Sequence, residues 1–185
     1  MTQIIVSGAT GFIGSHLVEK LIDRDYEVLS LGRKPFNRLS GVVQKKLFQG
    51  KYINLDMDSV ALLPELHAKI TNKLDNALER KFFHLAWGGK EKLSCLDVEA
   101  QMKNVTRTVN AMAAAKAMGC STFFHLGSME EEFAEEYLNL NYKTNTEYNR
   151  HVIYAVAKLA AHKAVQIKSK ELDLDYIYVN HSHVM

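Results

Sequence analysis

The stretch Ile4-Ile5-Val6-Ser7-Gly8-Ala9-Thr10-Gly11-Phe12-Ile13-Gly14 decides the fold, because strand, glycine loop and helix signals follow one another in that order. The β-branched run Ile4-Ile5-Val6 reads as a buried strand, and the turn after it opens an amphipathic helix marked by Phe12, Ile13, Leu17, Val18, Leu21 and Ile22. Each glycine has a use in that setting. Gly8 permits a tight turn, Gly11 lets backbone approach a pyrophosphate, and Gly14 allows the helix to pack close to the sheet. The helix N-terminus offers free N–H groups to phosphate charge. The loop is therefore expected to hold a dinucleotide through Gly8, Thr10, Gly11, Phe12, Ile13 and Gly14.

Outward from this unit, short apolar runs alternate with longer stretches of helical period. Strands are expected at Gln3–Ser7, Glu27–Leu31, Tyr52–Leu55, Lys81–Ala86, Thr122–Leu126 and Asp175–Val179. Helices are expected at Gly11–Arg24, Ser59–Leu78, Leu96–Met118 and His151–Lys170, with a weak Pro-interrupted segment at Pro35–Phe48. Right-handed crossovers stack such strands into a doubly wound parallel sheet with helices on both faces, an α/β fold. The 185 residues, 47% of them hydrophobic and 24% charged, suffice for one well-buried domain over residues 1–185 and are short for two.

Composition narrows the function classes. A net charge of +2 from 23 basic and 21 acidic residues spread along the chain leaves no basic stripe for nucleic acid. Cys95 and Cys120 form no CxxC pair, so neither a disulfide framework nor a structural metal is expected, and a reducing cytoplasm fits. No signal segment and no long apolar span is visible, so a soluble protein that is not exported, with no membrane partner, is expected. The acidic run Glu130–Glu136 reads as a solvated face. His181 and His183 alternate onto one face of an extended segment and read as a polar pair, since two ligands make no metal site. Met102, Met112 and Met118 read as packing or subunit contact.

Where the second strand ends, at Leu31-Gly32-Arg33-Lys34, no carboxylate stands ready for ribose hydroxyls. Arg33 can instead pair with a 2′-phosphate and Lys34 adds positive potential, which favours NADP over NAD.

With these features the chain resembles the extended short-chain dehydrogenase/reductases, the NAD(P)-dependent epimerase/dehydratase family, whose members act largely on nucleotide sugars and carry a Rossmann-like sheet. The resemblance spans the chain. It implies that Asp56, beside Met57, contacts adenine, and that His84-Leu85-Ala86, with Trp87 and Gly88, runs along the cofactor. It further implies that Asn104 supports the active site, and that Ser128, Tyr154 and Lys158 are the catalytic serine and the YxxxK pair, the last two also touching the cofactor. Tyr154 and Lys158, spaced i, i+4, share one helix face. A phenol with a pKa of about 10 needs help to work near neutrality, and the Lys158 ammonium is expected to lower it. Ser128 would hold the substrate oxygen while Tyr154 handles the hydroxyl proton.

The family usually continues into a smaller substrate-binding lobe, which this chain, stopping at Met185, does not contain; either it is the N-terminal portion of a longer protein or its substrate pocket is reduced or supplied by a partner. Asn180 and His183 fall near the usual Arg-Pro-x-Asn-like segment. Met129 replaces the Asp of the Asp-Glu pair that dehydratases use, leaving ketone reduction or epimerisation of a nucleotide-linked keto-sugar. The resemblance also implies a homodimer through Leu96–Met118 and His151–Lys170. A different class stays open: a non-catalytic dinucleotide-binding sensor or assembly subunit.

Overall fold

The computed structural model describes residues 2–47, 50–71, 79–89, 92–141 and 151–180. Six strands, β1 (Thr2–Ser7), β2 (Glu27–Gly32), β3 (Lys51–Asn54), β4 (Glu79–His84), β5 (Cys120–Leu126) and β6 (Asp175–Val179), form one parallel sheet in the order β3-β2-β1-β4-β5-β6. The helices are α1 (Phe12–Ile22), α2 (Gly41–Leu47), α3 (Leu63–Thr71), α4 (Val98–Ala117), α5 (Ala134–Leu138) and α6 (Val152–Leu172). This is the Rossmann arrangement: the chain winds one way from β1 to β3, then crosses back to β4 beside β1, leaving a crevice at the reversal.

Alternation along the strands divides the interior in two. Ile4, Val6 and Val28 face α1 and α2 with Val18, Leu39 and Leu47, whereas Ile5, Leu29, Phe82 and Phe123 face the other layer with Met112, Met118 and Val165. Phe82 and Phe123 stack across β4 and β5 with centroids 5.4 Å apart. Met112 and Met118 are thus core residues, and Cys95 and Cys120 are buried free thiols.

Several expected boundaries move. β4 begins two residues early and ends at His84, which releases Leu85 and Ala86 from the sheet to line the crevice. The helix expected at Ser59–Leu78 is a 3-10 segment, Met57–Leu62, followed by α3, and its residues 72–78 lie outside the described residues. The Pro35–Phe48 segment resolves into a 3-10 turn, Phe36–Arg38, and α2, with Phe48 undescribed. The acidic run is a solvated face only in part: it forms a 3-10 turn, Met129–Phe133, and α5, with Glu132, Glu135 and Glu136 exposed but Glu130 and Glu131 buried. Burial is tolerated because each carboxylate has hydrogen-bonding partners from distant elements. His181 and His183 lie outside the described residues.

Candidate cofactor cleft and active site

The crevice at the carboxyl ends of β1 and β4 encloses about 230 Å3. Gly8, Thr10 and Gly11 form its floor, Gly32, Arg33, Asp56 and Met57 one side, and Leu85, Ala86, Trp87, Gly88, Asn104 and Arg107 the other. Gly8 takes a φ of 71°, and a Cβ there would lie 2.8 Å from the backbone of Leu85 and Ala86. A Cβ on Gly14 would come within 2.2 Å of the Gly8 carbonyl oxygen, so this glycine seats α1 on the loop itself. A Cβ on Gly11 would meet only the Gly8 carbonyl, at 3.3 Å, so the chain's own packing leaves the space above Gly11 open. The first turn of α1 has no side-chain cap and no acidic residue. Uncapped N–H groups over an open glycine cradle fit a pyrophosphate. Phe12 is exposed with its ring against His16, and neither it nor Ile13 lines the cleft, so what they offer is backbone N–H groups.

Beside this crevice lies a second depression of about 210 Å3, lined by Arg33, Lys34, Arg38 and Ser40 together with Thr10. Three cations of one turn surround it. On the opposite side Asp56 accepts a hydrogen bond from the Asp58 amide, 3.0 Å, and caps the 3-10 segment. Arg107 donates to both carboxylate oxygens of Asp58, 2.7 and 2.8 Å, and with Lys103 holds that carboxyl down at about 2. Arg107 was not singled out from the sequence, although its i, i+3 spacing from Asn104 puts both on one face of α4.

A directed chain of hydrogen bonds fixes the wall formed by Leu85 and Asn104. The Thr108 hydroxyl donates to the Asn104 carbonyl, 2.8 Å, so it accepts from His84 Nε2, 3.2 Å. Nδ1 of that neutral ring then accepts from the Ser7 hydroxyl, 2.9 Å, which in turn accepts from the Leu85 amide, 3.3 Å. Burial, helped by the charge of Lys158, lowers His84 to about 3, which keeps the ring neutral. Asn104 pairs with both edges of Gly88, accepting from its N–H and donating to its carbonyl, each at 2.9 Å. Asn104 thereby holds the backbone at Gly88 on the edge of the cleft.

Ser128, Tyr154 and Lys158 are buried together behind Trp87: Ser128 hydrogen-bonds the Tyr154 phenol, and the Tyr154 ring and the Lys158 ammonium both contact the indole. Ser128 caps the Met129–Phe133 turn, with its amide donating to Glu131 at 2.9 Å. Glu131 also meets His162, 3.1 Å, and Tyr178, whose ring stacks on His162 at 3.8 Å and covers Gly127, where a Cβ would be 2.2 Å away. Glu130 accepts from Tyr137, 2.7 Å, and meets His151, 3.3 Å. None of these partners was visible in sequence spacing, since they arrive from α5, α6 and β6.

The expected Tyr154–Lys158 coupling takes another form. The two do share a helix face, but the Lys158 ammonium donates to the Leu126 carbonyl, 2.9 Å, and lies 4.0 Å from the centroid of the Trp87 ring. It stands 5.9 Å from the Tyr154 ring centroid. Burial raises the Tyr154 phenol above its ordinary value, against a hydrogen bond from Ser128, with the Glu130 and Glu131 charges adding to the rise. Burial lowers Lys158 to about 8. Among the described residues no group of three metal-ligating side chains occurs.

A Rossmann sheet with a glycine cradle at its reversal point, and a buried Ser/Tyr/Lys cluster beside it, defines the dinucleotide-fold class. The chain belongs to the NAD dependent epimerase/dehydratase family, whose family model matches residues 4–185. Similar solved structures include UDP-glucuronic acid 4-epimerase from Bacillus cereus in complex with NAD, at 19% identity and a TM-score of 0.67, covering 98% of this chain and 56% of that one. UDP-glucose 4-epimerase from Thermotoga maritima with UDP-glucose is 18% identical at a TM-score of 0.68, covering 97% and 55%. TunA, an NAD-dependent NDP-hexosamine 5,6-dehydratase, is 18% identical at a TM-score of 0.66, covering 97% and 54%. The chain thus spans little more than half the length of these structures. No curated protein matches it.

Proposed function

We propose that this chain binds a nicotinamide dinucleotide, NADPH in preference to NADH, and reduces a nucleotide-linked keto-sugar. One observation carries this: Ser128, Tyr154 and Lys158 are gathered, buried, behind Trp87, which lines a glycine-cradled cleft. Gly8, Thr10, Gly11 and the first turn of α1 hold the pyrophosphate, Asp56 and Met57 flank the adenine, and Arg33, Lys34 and Arg38 take the 2′-phosphate. When bound, the reduced nicotinamide supplies hydride to the carbonyl carbon. Tyr154 releases its phenolic proton to the carbonyl oxygen, and Ser128 orients that oxygen; the products are the alcohol and the oxidised cofactor.

The protonation states favour this direction. A phenol raised above its ordinary value keeps its proton at neutral pH and serves as an acid. Elimination would need a second free carboxylate; Met129 stands in that place, and Glu130 is held by Tyr137 and His151. The neighbours' complexes with NAD and UDP-glucose support a nicotinamide dinucleotide and a nucleotide sugar as the ligand classes, the preference for NADPH resting on Arg33, Lys34 and Arg38 alone; epimerisation of the same sugars is the nearest alternative. The same proposal includes a homodimer through α4 and α6 and a cytoplasmic setting; among the described residues no helix is long and apolar enough to cross a membrane.

The test is NADPH oxidation followed by absorbance with UDP-linked 4-keto-6-deoxyglucose. Turnover is expected, with Tyr154→Phe lowering kcat about a hundredfold or more. Tight NADPH binding with neither reduction nor epimerisation would assign the chain to non-catalytic dinucleotide binding instead.

A further inference from the structure

We propose that Trp87 is a removable cap on Lys158, which the nicotinamide half of the dinucleotide must displace, so that this side chain sets affinity for the whole dinucleotide without affecting its adenosine half. The proposal rests on the dinucleotide assignment above and adds a role for a side chain that the family resemblance treats only as backbone.

Three observations place the cap. Trp87 lines the cleft, and its indole face lies 4.0 Å from the Lys158 ammonium, while its edge meets the Tyr154 ring at 5.9 Å in a T-shaped contact. The indole therefore stands between the cleft and the Ser/Tyr/Lys cluster, and the cleft lining does not include Ser128, Tyr154 or Lys158. The indole is also held: Nε1 donates to Gln101 Oε1 at 2.9 Å, and the backbone of the next residue is pinned by Asn104. Finally, the cleft bounded by Trp87 encloses about 230 Å3. Pockets for small ligands run from roughly 300 to 1,000 Å3, so this one suits part of a dinucleotide.

Chemistry requires the rest to enter. Hydride and proton go to the two atoms of one carbonyl bond, so the nicotinamide and the Tyr154 hydroxyl must converge on it to within about 3 to 3.5 Å of the reacting atoms. Trp87 occupies that approach. The ammonium beneath it is buried, hydrogen-bonded to the Leu126 carbonyl, with the indole face at 4.0 Å and the Tyr154 ring farther off, so a polar ligand group reaching Lys158 from the cleft exchanges for the indole. The exchange costs the dinucleotide the energy of a desolvated cation–π contact, about 0.5 to 2 kcal/mol, or roughly two- to thirty-fold in affinity.

Trp87 is the sole tryptophan of the chain, so tryptophan fluorescence reports on the surroundings of this side chain. Calorimetry and tryptophan emission would be recorded with NADP+ and with adenosine 2′,5′-bisphosphate, for the parent and, by calorimetry, for Trp87→Phe and Trp87→Leu. NADP+ affinity is expected to rise in the order parent, Phe, Leu, by about three-fold or more overall, while the bisphosphate binds all three alike. Parent emission should change with NADP+ and stay constant with the bisphosphate. Equal or weaker NADP+ binding by the variants, or unchanged emission at saturation, overturns the cap and leaves the dinucleotide assignment standing. Failure of both ligands to bind any of the three proteins removes that assignment, and the cap with it.

Discussion

Arg33 follows the last residue of β2 on an exposed turn and faces both the main cleft and the depression it shares with Lys34, Arg38 and Ser40. The missing ribose carboxylate and the presence of Arg33 were legible from position alone, because the end of the second strand must lie beside the adenosine ribose in this fold. Arg38 was not, since its approach depends on the 3-10 turn Phe36–Arg38 that folds the segment back. NADPH is therefore expected to bind about ten- to a hundred-fold more tightly than NADH, the equivalent of roughly 1.5 to 3 kcal/mol for a charge-assisted contact, and Arg33→Ala should remove most of that difference. Calorimetry with both cofactors checks it; a substitution that weakens both alike would make Arg33 a solvated loop residue. Tyr154 and Lys158 mark the limit of such reading. Spacing put them on one face, but where the ammonium points was decided by the Leu126 carbonyl and the Trp87 ring, which come from other elements.

Strands β4 and β5 carry His84 and His125 at paired positions, both buried within the sheet. Burial is the leading cause that lowers His84 to about 3 and His125 to about 2, with the Lys158 charge acting in the same direction. Both rings are neutral in the folded chain, and unfolded histidines titrate at about 6.5. Between those values the unfolded state binds more protons, so the stability these residues contribute is full above about 6.5 and is lost as pH falls toward 3. Urea unfolding at pH 7, 5 and 4 should show a steep decline that is shallower in His84→Asn; a flat profile for the parent would contradict the neutral hydrogen-bond chain. At this scale the helical cores of α1, α4 and α6 were readable from their period, and β6 from its alternation, which half-buries Tyr176 and Tyr178 and exposes Ile177 and Val179. In the Met129–Phe133 turn and α5, the burial of Glu130 and Glu131 departs from the solvated face expected of the run. A run of acidic residues carries no sign that Tyr137, His151 and His162 will meet two of them.

The whole molecule is organised by its strand order, which places the glycine loop of β1 against the Leu85–Gly88 segment after β4 and makes one crevice of two sequence-distant loops. That architecture was legible because strand, glycine loop and helix in sequence admit few alternatives once right-handed crossovers are imposed. The contents of the crevice walls were less so: hydrogen bonds from Ser7 through His84 to Thr108 join three elements that only the folded sheet brings together. Gly11 gives the central claim its cleanest test, since a Cβ there meets, of the chain itself, the Gly8 carbonyl oxygen alone, at 3.3 Å, and a larger side chain would enter the space assigned to the pyrophosphate. The measurement is a calorimetric titration of NADPH into the parent and into Gly11→Val, with thermal melts of both without ligand. Saturable binding to the parent, no detectable binding to the variant and closely similar melting curves are expected; equal affinity for the two proteins would contradict the assignment of this cleft to a dinucleotide.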